Sequence, residues 1–246
     1  MRVVIASLLI LFFMLCNSIT YAKNYGSSLC KNSQEFSCYT VGRHDSWESL
    51  FPDEQDRDLV MRANRMNTHL YRGLKIAVPN DLYNINMMDI SPMPRQISPT
   101  GDKIIFVSLR LLAFGAYDED GNLLYWGPVS GGRGYCPDLG RACHTMSGTF
   151  TVYRKEGEGC FSTKFPVGRG GAPMPYCMFF HNGFALHGSY EVPGYNDSHG
   201  CVRMFVNDAK WLNENFIMDR TDIHVVIDTK TTSENNNTDV NDDDDQ

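Results

Sequence analysis

The sequence predicts a mainly β protein made of two folded units. We expect a small strand–helix–helix–strand unit at residues 36–80 and a larger β-sandwich or barrel domain, with one or two helices, at residues 103–228. The larger region has many short apolar runs separated by glycine and proline turns, which is typical of sandwiches and barrels. Helical periodicity is confined to a few segments. Residues 81–102, which contain three prolines, predict a linker between the units.

The small unit begins and ends with apolar runs that predict its two strands, Phe36–Val41 and Leu74–Val78. Between them, Asp45-Ser46-Trp47-Glu48 predicts a capped helix start, because an acid follows a capping side chain by three residues. A second helix is predicted by apolar residues that share one helical face, Leu59, Ala63 and Met66.

The larger domain is predicted from strands and tight turns. Asp120-Gly121-Asn122 and Asn182-Gly183 are turn signals that join apolar runs into hairpins. One helix is expected from Asn207, as its N-terminal cap, to about Phe216. Further strands are predicted at Ile104–Val107, Leu111–Phe114, Thr149–Tyr153 and Ile223–Ile227.

The chain ends indicate export and exclude a polyanionic partner. Met1-Arg2 is followed by an apolar run, Val3–Cys16, that is shorter than the roughly 20 residues of a membrane-spanning helix. We therefore expect a signal peptide at residues 1–22, cleaved after Ala22, with an uncleaved anchor as the alternative. No later run is apolar enough to cross a membrane. Residues 229–246 form an acidic tail that we expect to be disordered.

The net charge of −7 comes mostly from that tail, and no basic run appears, so nucleic acid is excluded as a partner. The chain is expected to act in the periplasm or cell envelope.

Cysteine usage agrees with an oxidising compartment. Of eight cysteines, Cys16 leaves with the signal peptide and seven remain, so one thiol is left over. Short separations favour the bridges Cys30–Cys38, Cys136–Cys143 and Cys160–Cys177, although six cysteines can pair in many ways. The odd thiol is then Cys201, which could alternatively be a small buried apolar side chain.

Cys201 and His187 form the candidate catalytic pair. A cysteine nucleophile needs a base within hydrogen-bond reach and a group that orients the base. His187 ends an apolar strand, which would fix its imidazole. Cys201 follows Gly200, where backbone amides could approach a substrate carbonyl.

Several motifs resemble the L,D-transpeptidase catalytic domain of the YkuD family. They are His187-Gly188, the block Ser198-His199-Gly200-Cys201-Val202-Arg203 and the strand start Ser147-Gly148-Thr149-Phe150. The hairpin from Tyr117 to Ser130 is also similar to that family. The resemblance covers about residues 103–227. The extra cysteines depart from the family pattern, so the resemblance does not predict the shape of the lid and the pocket.

The resemblance implies a role for each motif residue. Cys201 would attack the carbonyl after the third residue of a peptidoglycan stem peptide and expel D-alanine. His187 would take the thiol proton, with its other nitrogen held by the carbonyl of Gly188. Amides near His199, Gly200 and Cys201 would stabilise the oxyanion. The remaining motif residues, Ser198 and Arg203, would support the loop or bind a substrate carboxylate. The resemblance implies no metal and no cofactor.

The small unit resembles a LysM module, a βααβ fold that binds peptidoglycan glycan. The residues that carry this resemblance are Tyr39-Thr40-Val41, Asp45-Ser46-Trp47, Asn64 and Gly73–Pro79. His44 departs from the pattern, because the family usually has glycine there. The alternative is a small packing domain that binds nothing.

Other functions remain open at this point. The same acyl-enzyme would give an L,D-carboxypeptidase if water were the acceptor, and a wall-binding protein could have kept the fold without the activity. His187, His199 and Cys201 could instead bind zinc, but their order lacks the recognised zinc spacings.

Overall fold

The computed structural model describes residues 24–31, 34–165, 168, 170–218 and 223–228. The expected signal peptide at residues 1–22 and the acidic tail at residues 229–246 lie outside the described residues. Within the described part of the chain, no helix has the length and apolar character that crossing a bilayer requires.

The front unit has the predicted order of strands and helices. Its elements, including one helix before the first strand, are α1 (Tyr25–Leu29), β1 (Phe36–Thr40), α2 (Trp47–Leu50), α3 (Glu54–Ala63) and β2 (Lys75–Pro79). The two strands pair antiparallel, with Phe36 opposite Pro79. The helices cover them with a small apolar core of Val41, Trp47, Val60, Met66, Leu74 and Ile76.

The capping box of α2 lies one residue later than predicted. Ser46 is the N-cap, and its hydroxyl accepts a hydrogen bond from the backbone of Ser49, whose hydroxyl accepts in return from Ser46. Asp45 instead accepts hydrogen bonds from the amide of Gly42 and the hydroxyl of Tyr39. These hydrogen bonds lower the pKa of Asp45.

The larger domain is a curled nine-stranded sheet, which confirms the predicted mainly β fold. In chain order its described strands are β3 (Lys103–Ser108), β4 (Ala113–Tyr117), β5 (Leu123–Ser130), β6 (Gly134–Cys136), β7 (Arg141–Cys143), β8 (Gly148–Thr151), β9 (Arg154–Lys155), β10 (Phe161–Ser162), β11 (Ala172–Pro173), β12 (Met178–His181), β13 (Phe184–Gly188), β14 (Val202–Met204) and β15 (Ile223–Asp228). The sheet order is β8-β15-β3-β4-β5-β14-β13-β12-β9, while β6–β7 and β10–β11 form two small separate hairpins.

Two local predictions for this domain are wrong. Leu111 and Leu112 lie in a turn rather than a strand, because Leu112 has a φ of 51° that interrupts extended backbone. The helix begins earlier, as α4 (Val206–Trp211), and continues as a π-helical turn, Leu212–Phe216. Phe205 is at its N-cap and makes no side-chain capping bond, so Asn207 is not the cap.

α4 and the π-helical turn pack on one face of the sheet and close the main core. Ala209, Leu212 and Phe216 are buried there against Leu186, Val202 and Met204 of the two strands that lead to the candidate site. Because β13 and β14 are central strands backed by this core, their ends are held at fixed positions.

Buried polar contacts join the front unit to the sheet domain. Arg62 of α3 makes a two-pronged ion pair with Asp208 of α4, with nitrogen–oxygen distances of 2.6 and 3.2 Å. The guanidinium of Arg65 lies 4.7 Å from the ring centroids of both Tyr25 and Trp126. Residues 81–102 also pack on the domain, where the indole of Trp126 donates a hydrogen bond to the carbonyl of Met87.

Candidate active site

His187 is fixed on β13 by a backbone contact. Its Nδ1 lies 2.9 Å from the carbonyl oxygen of Gly188, the next residue. A carbonyl only accepts, so Nδ1 carries a proton and Nε2 keeps its lone pair. The side chain is buried, which restricts the ring to this orientation.

Burial also sets the charge of the imidazole. It lowers the pKa of His187 to about 4, although the Gly188 carbonyl opposes the shift. The positive charge of Arg203 lowers the pKa of His187 further. His187 is therefore a neutral ring at neutral pH, with one nitrogen able to accept a proton.

Cys201 lies directly before β14, which pairs parallel with β13. Leu186 is opposite Val202 in this pair, and His187 is opposite Arg203. If this register is extended by one residue, Cys201 lies beside Ala185. Side chains alternate between the two faces of a sheet, so Cys201 and His187 lie on the same face. They are diagonal neighbours on adjacent strands, with Cα atoms about 8 Å apart.

The opposite face of these strands belongs to the main core, as the burial of Leu186 and Val202 shows. Cys201 packs with a separate cluster formed by Cys160, Met174, Cys177, Phe179 and Ala185.

Among the described residues, Cys201 is the cysteine that is not bonded in a disulfide. Its Sγ lies 3.9 Å from the carbonyl oxygen of Gly183. Burial raises the pKa of Cys201, and the backbone of Ala185 and the charge of Arg203 only partly oppose that shift. At neutral pH the resting group is therefore a thiol rather than a thiolate.

The turn before Cys201 depends on Gly200. Its φ is +127°, a left-handed conformation that disfavours other residues, and a Cβ there would lie 2.5 Å from the ring of Phe184. Thr145 holds the same turn, because its hydroxyl donates to the carbonyl of Gly200 and accepts from the amide of Gly132.

Ser198 completes the turn. It is buried, its hydroxyl accepts a hydrogen bond from the Gly200 amide at 2.9 Å and donates to the carbonyl of Cys201. The Gly200 amide is thus engaged in a hydrogen bond within the turn.

The other members of the motif block lie around this turn. His199 turns to the β6–β7 hairpin, where its Nε2 lies 2.8 Å from the carboxylate of Asp138 and its ring stacks on Phe165. This hydrogen bond lowers the pKa of Asp138. Arg203 donates to the backbone carbonyl of Glu191 at 3.2 Å.

A zinc site of His187, His199 and Cys201 finds no support among the described residues. The groups there whose atoms lie close enough for a shared ion are Cys136 with Asp138 and His199, and Glu156 with Cys160 and Cys177. Cys136 is bonded to Cys143 and Cys160 to Cys177 in disulfides, which removes the thiolate ligands.

The comparisons with known proteins identify the larger domain. Residues 102–227, just over half of the 246-residue chain, match the YkuD L,D-transpeptidase catalytic domain. The chain belongs to the YkuD family. No curated protein matches it.

Solved structures with a similar fold are L,D-transpeptidases. The one from Xylanimonas cellulosilytica is 26% identical with a TM-score of 0.52, and the match covers 70% of this chain and 79% of that one. The one from Stackebrandtia nassauensis is 24% identical with a TM-score of 0.44, covering 58% and 62%. An L,D-transpeptidase from Mycobacterium smegmatis is 17% identical with a TM-score of 0.42, covering 65% of each chain.

The described residues of this YkuD-family chain contain three disulfides, Cys30–Cys38, Cys136–Cys143 and Cys160–Cys177. The second closes the β6–β7 hairpin beside His199. The third belongs to the cluster against which Cys201 packs. The extra cysteines therefore stabilise the surroundings of the candidate site.

Sequence reasoning missed residues that shape this YkuD site. Thr145 and Asp138 contact the motif block from distant parts of the chain. Asn67 of the front unit contacts Ser189 and Val192 in the loop between His187-Gly188 and that block. None has a local motif, because each acts through a contact that only folding creates. A hydroxyl or carboxylate close to a predicted disulfide was the one available signal for Thr145 and Asp138.

Proposed function

We propose that this chain is an exported L,D-transpeptidase that remodels or cross-links peptidoglycan, with Cys201 as nucleophile and His187 as base. Membership of the YkuD family supports the reaction class. The observation that carries the residue assignment is the β13–β14 register, which brings a free thiol and a neutral, oriented imidazole to one face.

The first half of the reaction forms a thioester. Nε2 of His187 removes the proton from the Cys201 thiol as sulfur attacks the carbonyl carbon after the third stem residue. The tetrahedral intermediate collapses, the peptide bond to D-alanine breaks, and the imidazolium returns the proton to the leaving amine. His187 must be neutral at the start, and its lowered pKa of about 4 supports this.

The second half transfers the acyl group. An acceptor amine attacks the thioester carbonyl, His187 takes one amine proton, and the thiol leaves with that proton. With water as acceptor the same steps give a carboxypeptidase. Because Ser198 occupies the Gly200 amide, we assign oxyanion stabilisation to the amides of His199 and Cys201. We assign Arg203, which is directly opposite His187 in the β13–β14 register, to the substrate carboxylate.

We further propose that the front unit at residues 36–80 is a LysM-like module that binds glycan. Its βααβ order and the antiparallel β1–β2 pair support this. Binding to insoluble peptidoglycan, with and without competing chitooligosaccharide, tests it. A protein that stays in the supernatant would contradict the module's assignment without affecting the catalytic one.

Export to the periplasm or envelope is the third part of the proposal. The three disulfides support it, since such bonds persist in oxidising compartments. Cleavage after Ala22, the linker at residues 81–102 and the acidic tail at residues 229–246 remain predictions. N-terminal sequencing of the exported protein tests the cleavage site.

The decisive test of the function uses a carbapenem, a β-lactam that traps acyl-enzymes. We expect intact-mass analysis of the purified protein to show one covalent adduct, mapped to Cys201 and lost in Cys201→Ala. An unmodified thiol in the folded, reduced protein would contradict the proposal. Incubation with a disaccharide-tetrapeptide, with and without an added amine, then separates transfer from hydrolysis.

A further inference from the structure

The loop at residues 189–197 joins the two halves of the candidate site. It begins after His187-Gly188 and ends at Ser198, so its path sets how the base and the nucleophile face each other. The sheet domain holds one side of it. The Ser189 amide donates to the carbonyl of Met204, and the hydroxyl of Ser130 contacts Tyr195 and Asp197.

The other side of the loop is held by the front unit, chiefly by Asn67. Its side-chain Nδ2 donates to the carbonyl of Ser189 at 2.8 Å, and its Oδ1 accepts from the amide of Val192 at 2.9 Å. Its backbone amide donates to the carbonyl of Val192, also at 2.9 Å. A β-bridge between Met66 and Pro193 extends the contact.

The contact is rigid because the front unit is itself anchored. Arg62, five residues before Asn67, is buried in its ion pair with Asp208. The amide of Tyr25 donates to the carbonyl of Gly194 at 3.0 Å, which adds a second attachment to the loop. The segment that carries Asn67 is thus fixed relative to the sheet domain.

The loop passes this constraint to the candidate site through Glu191 and Arg203. Arg203 donates to the Glu191 carbonyl at 3.2 Å, and its Nη1 lies 3.7 Å from the Glu191 carboxylate. Glu191 is next to Val192, whose amide Asn67 holds. In the β13–β14 register Arg203 is directly opposite His187.

We infer that Asn67 is a positioning residue for the transpeptidase reaction: it fixes the loop at residues 189–194, and through Glu191 and Arg203 it sets the geometry around His187. The front unit is then a structural part of the active site as well as a separate module. This inference rests on the proposed function.

The test is the rate of carbapenem acylation of the full chain carrying Asn67→Ala. We expect the maximal acylation rate to fall roughly tenfold, with a smaller change in the half-saturating concentration, because misplaced reacting groups cost more in rate than in binding. Asn67→Asp keeps the acceptor for Val192 and loses the donor to Ser189, so its loss should be smaller. This milder variant also serves if Asn67→Ala folds poorly.

The matched control is Asn80→Ala. The side chain of Asn80 donates to the carbonyl of Gln34 and accepts from the hydroxyl of Ser37, and neither of these partners is in the loop. We expect this variant to acylate at the wild-type rate.

A second readout separates positioning from general stability. Because the charge of Arg203 helps to lower the pKa of His187, a displaced Arg203 should move the acid limb of the pH–rate profile upwards in Asn67→Ala. Lost stability alone would lower the melting temperature and leave the limb in place.

Wild-type acylation with an unchanged rate and profile in Asn67→Ala would overturn the positioning role alone. A wild type that forms no adduct would overturn the proposed function, and the inference with it.

Discussion

Two pairs of side chains in this chain respond to burial in opposite ways: one pair stays charged and the other stays neutral. Arg62 and Asp208, with side chains 4% and 0% exposed, are oppositely charged partners at 2.6 Å. Burial alone would lower the pKa of Arg62, but the carboxylates of Asp208 and Asp58 outweigh it and raise that pKa. His187 and Cys201 have no counter-charge of this kind, and burial keeps both neutral.

The difference separates a structural pair from the pair that we propose to be reactive. A buried ion pair with satisfied hydrogen bonds fixes two parts of a chain, because neither partner tolerates the loss of the other. A buried imidazole without a charged partner keeps its lone pair over a wide pH range, which suits a general base.

Replacement of His187 should remove reactivity and spare the fold. We expect His187→Ala to slow carbapenem acylation of Cys201 by about 10³-fold to 10⁴-fold, or about 4 to 5.5 kcal/mol in activation free energy, because the thiol would lose its proposed base. Stopped-flow acylation kinetics measure this, and the circular dichroism spectrum serves as the control. An acylation rate equal to that of the wild type would show that His187 is not the base.

Replacement of Asp208 should lower the stability of the fold. Asp208→Ala leaves Arg62 buried without its main partner, and we expect the free energy of unfolding to fall by about 3 to 4 kcal/mol. Urea denaturation measures the change. The matched control is Asp89→Ala, which breaks the exposed pair with Arg95 and should have little effect. Equal losses in the two variants would remove the distinction between a buried and an exposed pair.

The free energy of unfolding should fall in acid because the folded chain keeps His187 neutral. The pKa of His187 is about 4 in the folded chain against 6.5 ordinarily, so the unfolded state binds a proton below pH 6.5 that the folded state does not. Stability is therefore lost as pH falls from 6.5 to 4, by up to about 3 kcal/mol. Urea denaturation of both proteins at a series of pH values measures this loss, and His187→Gln should not show it. Parallel pH profiles for the two proteins would contradict a buried neutral imidazole.

Much of the fold follows from local patterns. The turns at Asp120–Asn122 and Asn182-Gly183 and the strand at residues 223–228 lie where alternation and turn residues predict them. The errors occur where tertiary packing overrides local preference. Leu112 adopts a positive φ despite its apolar neighbours, and α4 starts after Phe205, which makes no side-chain capping bond.

The candidate site also contains residues that local patterns mark and residues that only tertiary contacts bring together. His187 and Cys201 lie at the end of one strand and the start of another, where a motif can mark them. The contacts of Thr145 with Gly200 and of Asn67 with Val192 join distant parts of the chain. The predicted disulfide near Thr145 is a signal for that residue, but nothing in the sequence around Thr145 or Asn67 identifies the residues that they contact. The charge state of His187 also depends on burial, which no motif records.

The protonation state of His187 can be read directly from the ¹⁵N NMR spectrum of its imidazole in the wild-type protein, assigned by comparison with His187→Gln. We predict a neutral ring at pH 7 with its proton on Nδ1, and a titration midpoint near pH 4. A ring protonated on both nitrogens at pH 7 would mean a thiolate–imidazolium pair and would contradict general-base activation of Cys201.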